Sequence, residues 1–211
     1  MRVVSTNLAQ PVRIRWKGRD QQTGIYKTPQ PEGISLEQEG IRGDTIGNPE
    51  VHGGQYKACY LFPADTYPYW KERYPHLAWD YGMFGENLSM EGLKEDDLVM
   101  GAVYRLGDTR MRLTTPREPC YKLGIRFGDQ GIIERFVAHA RPGVYAEVLN
   151  EGVVSPGMVA EQESVPENGL KVGDYFRLLF SPVKNPEHLL KALDLPFLNE
   201  KTRAKLLRWH Q

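Results

Sequence analysis

Short apolar runs interrupted by glycine and proline are the feature that most constrains the fold of this chain. The 211 residues include 21 glycines and 15 prolines, which divide the chain into short segments. Segments of this length that alternate apolar and polar residues are typical of strands. The pattern therefore predicts a mainly β fold, a β-barrel with peripheral helices, in preference to a doubly wound sheet.

Several segments carry these signals. Strands are predicted over 11–18, 33–44, 57–63 and 173–180, hairpins over 102–116 and 143–158, and helices over 64–74 and 129–140. The first hairpin would turn at Gly107-Asp108 and the second at Asn150-Glu151-Gly152, since such residues favour tight turns.

The end of the chain, residues 182–211, has a helical pattern instead. Asn185 is a favourable N-cap, Pro196 would end that helix, and Asn199 could cap a second one. We therefore expect a barrel domain over 1–181 and a small helical appendage after it. Such a helix pair can resemble a DNA-reading helix-turn-helix, but packing on the barrel or on a second copy of the chain, in a homodimer, is favoured.

The charge balance indicates which kinds of binding partner are expected. Lys and Arg together number 27, as do Asp and Glu, so the formal net charge is zero and bulk capture of nucleic acid or anionic membrane is not expected. Both ends of the chain nevertheless lean basic, which suits a small anionic ligand. The sequence has no apolar run of membrane-spanning length and no signal-peptide pattern, and its two cysteines do not suggest a disulfide framework. We expect a soluble, cytoplasmic protein with reduced thiols.

One cysteine has unusual neighbours. In "TTPREPCYKLG", residues 114–124, Cys120 lies between Arg117 and Lys122. Nearby cations stabilise a thiolate, the form that binds metals and attacks electrophiles. A buried, inert cysteine with solvated cations around it is an equally good interpretation of this segment alone. By contrast, Cys59 lies within "KACYLFP", where a core position is the better interpretation.

Three further segments could contribute to a site. They are "TGIYKTPQP" with Tyr26, Lys27 and Thr28, "EVHGGQYKA" with His52, Gly53, Gly54 and Lys57, and "MFGENLSMEGL" with Glu86 and Asn87. Paired glycines let backbone amides approach an anion, and polar pairs can bind a heterocycle edge. Each segment could equally well hold a turn.

Taken together, the motifs are specific enough to indicate one protein family. "GIRGD", "VHGG", "FGENL" and "PREPCYKL", in this order and spacing, resemble the MOSC domain, named after the C-terminal part of molybdenum cofactor sulfurase. "TGIYKTP" and the helical tail narrow the resemblance to the YiiM-like subfamily. It covers nearly the whole chain from about residue 13.

The resemblance implies a β-barrel that binds molybdenum cofactor, with Cys120 as the protein ligand to molybdenum. Thiolate is a suitable ligand for such a metal. The residues assigned to the cofactor or to the mouth of its site are Tyr26, Lys27, Thr28, His52, Gly53, Gly54, Lys57, Glu86, Asn87, Arg117, Cys120 and Lys122. The cations among them are assigned by charge, because the cofactor carries a phosphate. At the level of the family, the resemblance also implies pyridoxal phosphate binding, to which no residue is assigned.

The subfamily resemblance implies a reaction as well. It is the reduction of N-hydroxylated base analogues, such as hydroxylaminopurine, to amines in detoxification. His52 is the candidate proton donor, because an unperturbed imidazole titrates near neutrality. Tyr26 and the segment 67–70 could form a stacking wall for the base. An external electron-donor protein is expected, since the sequence contains neither a GxGxxG after a strand nor a CxxC pair.

Three alternatives stay open at this level. Cys120 could carry a persulfide as a sulfur carrier. It could serve as the nucleophile of a hydrolase with His52 or His139, although nothing in the sequence orients such a pair. The chain could also only store or deliver the cofactor.

Overall fold

The computed structural model describes residues 1–47 and 53–210 of the chain, in which strands and helices alternate. The strands are β1 (Arg2–Ala9), β2 (Val12–Trp16), β3 (Arg19–Thr23), β4 (Lys27–Pro29), β5 (Ile34–Glu37), β6 (Gly40–Ile41), β7 (Cys59–Pro63), β8 (Leu88–Glu91), β9 (Val103–Leu106), β10 (Thr109–Pro116), β11 (Val144–Asn150), β12 (Gly152–Val154) and β13 (Glu161–Ser164). The helices are α1 (Tyr67–Arg73), α2 (Tyr121–Phe127), α3 (Ile132–His139), α4 (Val172–Phe180), α5 (Pro186–Leu193) and α6 (Glu200–His210).

The main sheet has eight strands in the order β13-β9-β10-β11-β7-β8-β1-β4, and only β7 and β8 pair in parallel. Its two edges approach each other where Val3 N donates to Met158 O (2.9 Å) and Ala160 N donates to Met1 O (2.8 Å). Within residues 1–47 and 53–210, however, no ladder joins β13 to β4. The sheet-rich fold is as predicted, whereas the closed barrel is not confirmed.

The two predicted hairpins have different outcomes. β9 and β10 form the first, with Thr109 opposite Leu106. β11 and β12 both exist, but β12 pairs with β5, so that Val153 lies opposite Ser35. The prediction of the second hairpin is therefore wrong. The sequence locates both strands, but the pairing of β12 is set by a segment more than a hundred residues earlier.

The strand predicted over 173–180 is also wrong, because this segment is helix α4. Its aromatic residues favour strands by propensity. In the structure, Val172, Tyr175, Phe176 and Leu179 are buried at the spacing of one helix face. Burial against the sheet therefore overrides the β propensity of this segment.

The predicted helices agree with the structure better than the predicted strand at 173–180 and the second hairpin do. α1 and α3 lie within the predicted ranges, and in the tail Asn185 Oδ1 accepts from His188 N at 3.1 Å as a capping residue should. Asn199 Oδ1 accepts from Thr202 N at 2.8 Å at the start of α6. Over residues 1–47 and 53–210, no helix has the length and apolar character needed to cross a membrane.

The core has two parts. The main cluster fills the sheet and includes Leu189, Phe197 and Leu206 of the tail, so the tail packs into the same core as the strands. The boundary at residue 181 stays a prediction. The second part, here called the aromatic cluster, consists mainly of rings that touch one another: Tyr60, Phe62, Tyr67, Trp70, Tyr74, Phe84, Phe127 and Phe136.

Candidate functional site

Six of the residues selected from the sequence line one cavity of about 90 Å³, here called the inner cavity. They are Lys27, Lys57, Asn87, Arg117, Cys120 and Lys122. They come from four segments that are far apart in the chain, and the fold brings these segments together between the β4–β6 region and α2. The wall carries four cationic side chains, with Asp44 as an anion.

Asp44, the last residue of "GIRGD", joins three of the motif segments. Its Oδ2 forms an ion pair with Lys27 Nζ and accepts from Asn87 Nδ2 at 2.8 Å. Its Oδ1 accepts from Ala9 N at 2.8 Å. Burial lowers the pKa of Lys27, and Asp44 opposes this shift. Lys27 is thus a compensated charge that helps to fix the wall of the cavity.

Arg117 is held differently. Its guanidinium donates to the carbonyl oxygen of Phe84 and lies over the ring of Tyr60, 5.2 Å from the centroid. The side chain is only 6% exposed. Burial by itself would lower the pKa of Arg117, but the neighbouring hydroxyls of Tyr60 and Tyr145 hold it above the ordinary value. Arg117 remains a buried cation at this site.

Lys122 projects from α2 and is 7% exposed. In the part of the chain that the structure describes, neither Lys122 nor Arg117 has a carboxylate partner. Burying a cation without an anion is costly. Gly47 leaves room for the lysine head, because a Cβ there would lie 3.0 Å from Lys122 Nζ. The two cations therefore lack a carboxylate among the described residues, and both line the cavity in which an anionic ligand would bind.

Cys120 lies where two cavities meet. Beyond the inner cavity is a larger one of about 640 Å³, here called the outer cavity, whose walls include Tyr56, Glu118, Tyr121, Tyr175, Phe197 and Thr202. Five residues line both: Gly47, Lys57, Cys120, Lys122 and Tyr145. Cys120 is half-buried and ends the extended loop before α2. A group bound in the inner cavity and a second molecule in the outer one would both reach its thiol.

Glu86 is not at this site, although the sequence assigned it to the cofactor or substrate. It is fully buried, and its oxygens accept from Tyr67 Oη (2.5 Å), Gly82 N (2.9 Å), Phe84 N (3.1 Å) and Ser89 Oγ (2.7 Å). Each carboxylate oxygen is thus engaged by the protein itself. Glu86 organises the turn that presents its neighbour Asn87 to the inner cavity.

Four other assigned residues also lie outside both cavities. Tyr26 is half-buried beneath Arg126, whose guanidinium carbon is 4.8 Å from the ring centroid, and Thr28 is exposed on β4. Gly53 and Gly54 precede the turn that carries Lys57. Gly54 has φ 89°, a conformation that favours glycine, so its role there is conformational. His52 lies outside the described residues.

Two further expectations are contradicted by the geometry. Tyr67 and Trp70 cannot form a stacking wall for a ligand, because they are buried in the aromatic cluster. His139 cannot serve Cys120 as a base, because its ring is stacked on Tyr69 at 3.9 Å and lines neither cavity. Burial, with the charges of Arg141 and Arg73, lowers the pKa of His139 to about 4.

Several wall residues were missed from the sequence. Asp44 was present in a quoted motif, and its position next to a turn glycine was the available signal. Tyr60 and Tyr145 lie on paired strands, directly opposite each other, 5.1 Å apart by ring centroids. Phe197 reaches the outer cavity from the tail. The last three depend on strand pairing and tertiary packing, for which the local sequence carries no signal.

The fold and site define a sheet-rich protein with a thiol beside a cavity lined by cationic side chains. The chain belongs to the MOSC domain family, whose model matches residues 48–161. MOSC domains are associated with molybdenum cofactor.

Individual relatives agree with this assignment. The chain is 34% identical over 206 residues to the uncharacterized protein YflK of Bacillus subtilis, covering 98% of this chain and 93% of that protein. It is 30% identical over 138 residues to a reductase of Gibberella moniliformis, covering 64% of this chain but 24% of that protein. The crystal structure of YiiM from Geobacillus stearothermophilus superposes with a TM-score of 0.81 at 25% identity, covering 100% of this chain and 99% of that one.

Proposed function

We propose that this protein is a molybdenum-cofactor-dependent oxidoreductase that reduces N-hydroxylated base analogues, of the hydroxylaminopurine type, to amines. Membership of the MOSC family and the similarity to a reductase support an oxidoreductase. The likeness to YiiM supports the subfamily, from whose resemblance the substrate class comes. The observation that carries the proposal is the position of Cys120 between a cationic inner cavity and an outer cavity large enough for a small molecule.

The inner cavity fits the cofactor by charge and by ligand type. Arg117 and Lys122 are buried cations without a carboxylate partner in the described residues, and a cofactor phosphate would compensate them. The Cys120 thiol would supply the single protein ligand to molybdenum. Asn87 lines the same wall, where its amide nitrogen donates to Asp44 and Asn7 and its amide oxygen accepts from Tyr60 N, so that it fixes the shape of the cavity.

The cofactor and the residues of this chain would have different roles in the reaction. The bound cofactor would supply the two-electron chemistry that cleaves an N–O bond. The inner cavity, of about 90 Å³, would hold the anionic end of the cofactor, and the outer cavity, of about 640 Å³, would take the rest of the cofactor and orient the substrate beside it. Reduction of a hydroxylamine to an amine consumes two electrons and two protons and releases water. His52 stays the predicted proton donor, and an external protein would deliver the electrons.

The test begins with metal analysis of protein made in cells with and without cofactor synthesis. Loaded wild-type protein is then given a chemical reductant and hydroxylaminopurine, and appearance of the amine is followed. We expect amine from the wild type and none above background from Cys120→Ser. Bound molybdenum with no amine would favour the alternatives of a sulfur carrier or a storage and delivery protein.

A further inference from the structure

The outer cavity has an aromatic wall on the side of the C-terminal tail. Phe197 lies between α5 and α6, and its ring is 6.3 Å from that of Tyr56, tilted by 55°. Both line the outer cavity, into which Cys120 also opens. Tyr56 is 38% exposed and Phe197 only 4%, so the tyrosine offers the accessible ring and the phenylalanine supports it from behind.

The lining of the same cavity includes a second supported ring. Tyr121 follows Cys120 directly and stacks on Trp16 of the β2–β3 hairpin with centroids 5.0 Å apart and an interplanar angle of 17°. Its hydroxyl donates to Gln21 Oε1, which fixes the ring further. A cavity of about 640 Å³ whose lining includes supported aromatic rings suits a flat, partly polar ligand better than a flexible aliphatic one.

The tail is attached to the Cys120 loop as well as to the core. Lys205 Nζ of α6 lies 3.9 Å from Glu118 Oε2, two residues before Cys120. Phe197 itself belongs to the main core cluster, together with Leu195 and Leu206. The position of the aromatic wall relative to Cys120 is therefore set by packing of the tail, not by a mobile side chain.

We propose that Tyr56 and Phe197 determine substrate specificity, by selecting planar heteroaromatic rings over aliphatic N-hydroxylated compounds. This inference rests on the proposed function, because the reaction of the selected substrates is the one proposed above. Binding of the ring itself does not require the cofactor. Stacking on an aromatic side chain is tolerant of which base is bound, so related planar bases would be accepted. The tail then takes part in ligand recognition.

The first experiment measures binding of adenine to cofactor-free protein by calorimetry. Tyr56→Leu and Phe197→Leu remove the ring but keep an apolar side chain, and Phe180→Leu, on α4 and outside both cavities, is the matched control. We expect Tyr56→Leu to bind adenine about tenfold more weakly, from the usual contribution of base stacking. Phe197→Leu should weaken binding by a smaller factor, because it removes only the support of that ring, and the control should bind like the wild type. Thermal melting checks that Phe197→Leu is folded, and Tyr56→Leu gives an answer from an exposed position.

The second experiment uses loaded enzyme with hydroxylaminopurine and with acetohydroxamic acid. We expect Tyr56→Leu to raise KM for the purine about tenfold, and Phe197→Leu by a smaller factor, with kcat nearly unchanged. Both variants should leave both constants for the aliphatic compound unaltered. Wild-type protein that does not bind adenine, or two folded wall variants that bind it normally, would overturn the inference. Adenine binding that depends on the wall, in a protein that makes no amine, would instead refute the proposed reaction and leave recognition of planar rings by Tyr56 and Phe197 standing.

Discussion

Glu86 and Asn87 are neighbours in one motif but belong to two different environments. Glu86 faces the aromatic cluster, where four donors of the protein satisfy its carboxylate. Asn87 faces the inner cavity, where Arg117 and Lys122 have no carboxylate partner in the described part of the chain. The Glu86 carboxylate is thus satisfied by the protein, whereas Arg117 and Lys122 have no carboxylate partner within residues 1–47 and 53–210.

This difference separates buried polar groups that stabilise the fold from buried charged groups that are available to a ligand. A buried polar group whose partners are all supplied by the chain contributes to stability. A buried cation without such a partner costs stability, and a bound anionic ligand would offset that cost. Substitutions on the aromatic side should therefore change the unfolding temperature, and substitutions at the inner cavity should change ligand binding.

The largest effect is expected at the two cysteines. Cys120→Ser should abolish molybdenum retention, because it removes the proposed ligand. Cys59→Ala should leave retention intact, since Cys59 is fully buried in β7 and burial raises the pKa of its thiol well above the ordinary value. Metal analysis per folded protein measures both. Equal loss of molybdenum from two well-folded variants would remove the distinction between the thiols.

A smaller effect is expected from Arg117→Ala. Each charge-assisted contact contributes roughly 1.5–3 kcal/mol, so cofactor binding should weaken about tenfold or more. Cofactor retained after dialysis gives the measurement, and Arg42→Ala, whose side chain is 74% exposed beside Glu37, is the control. Unchanged retention would place the anion elsewhere.

The aromatic side should respond in the opposite manner. Glu86→Gln leaves at least one of the four donors without an acceptor, at a cost of about 2 kcal/mol, which lowers the unfolding temperature by roughly 6 °C in a chain of this size. Cofactor retention at low temperature should not change. Glu72→Gln, at a side chain that is 82% exposed, is the control. A variant of normal stability that loses cofactor would return Glu86 to the site at which the sequence placed it.

The same division describes how far the sequence could be interpreted. Cys120, Lys122 and Arg117 could be selected because motif and charge are local properties. The pairing of β12 with β5 and the helix at 172–180 could not, because both are decided by distant partners. The different positions of Glu86 and Asn87 could not be predicted for a related reason: "FGENL" marks two polar residues, but only the fold decides which of them faces the cavity.

The smallest expected effect is the pH dependence of stability from His139, on the aromatic side. Its pKa is lowered to about 4, first by burial and then by Arg141 and Arg73, whereas an unfolded histidine titrates near 6.5. Between these values the unfolded chain binds the additional proton, so this contribution is fully present above pH 6.5 and is lost as the pH falls towards 4.

Because His139 is half-exposed, the loss should be limited to about 1 kcal/mol, a shift of roughly 3 °C in the unfolding temperature. His139→Phe keeps a ring against Tyr69 and removes the titrating group, so its stability should fall less than that of the wild type between pH 6.5 and 4. Thermal melts across this range measure the difference, with His76→Phe at an exposed position as the control. Parallel curves for wild type and His139→Phe would show that His139 is not held neutral, and that the aromatic side is less closed to protons than its packing indicates.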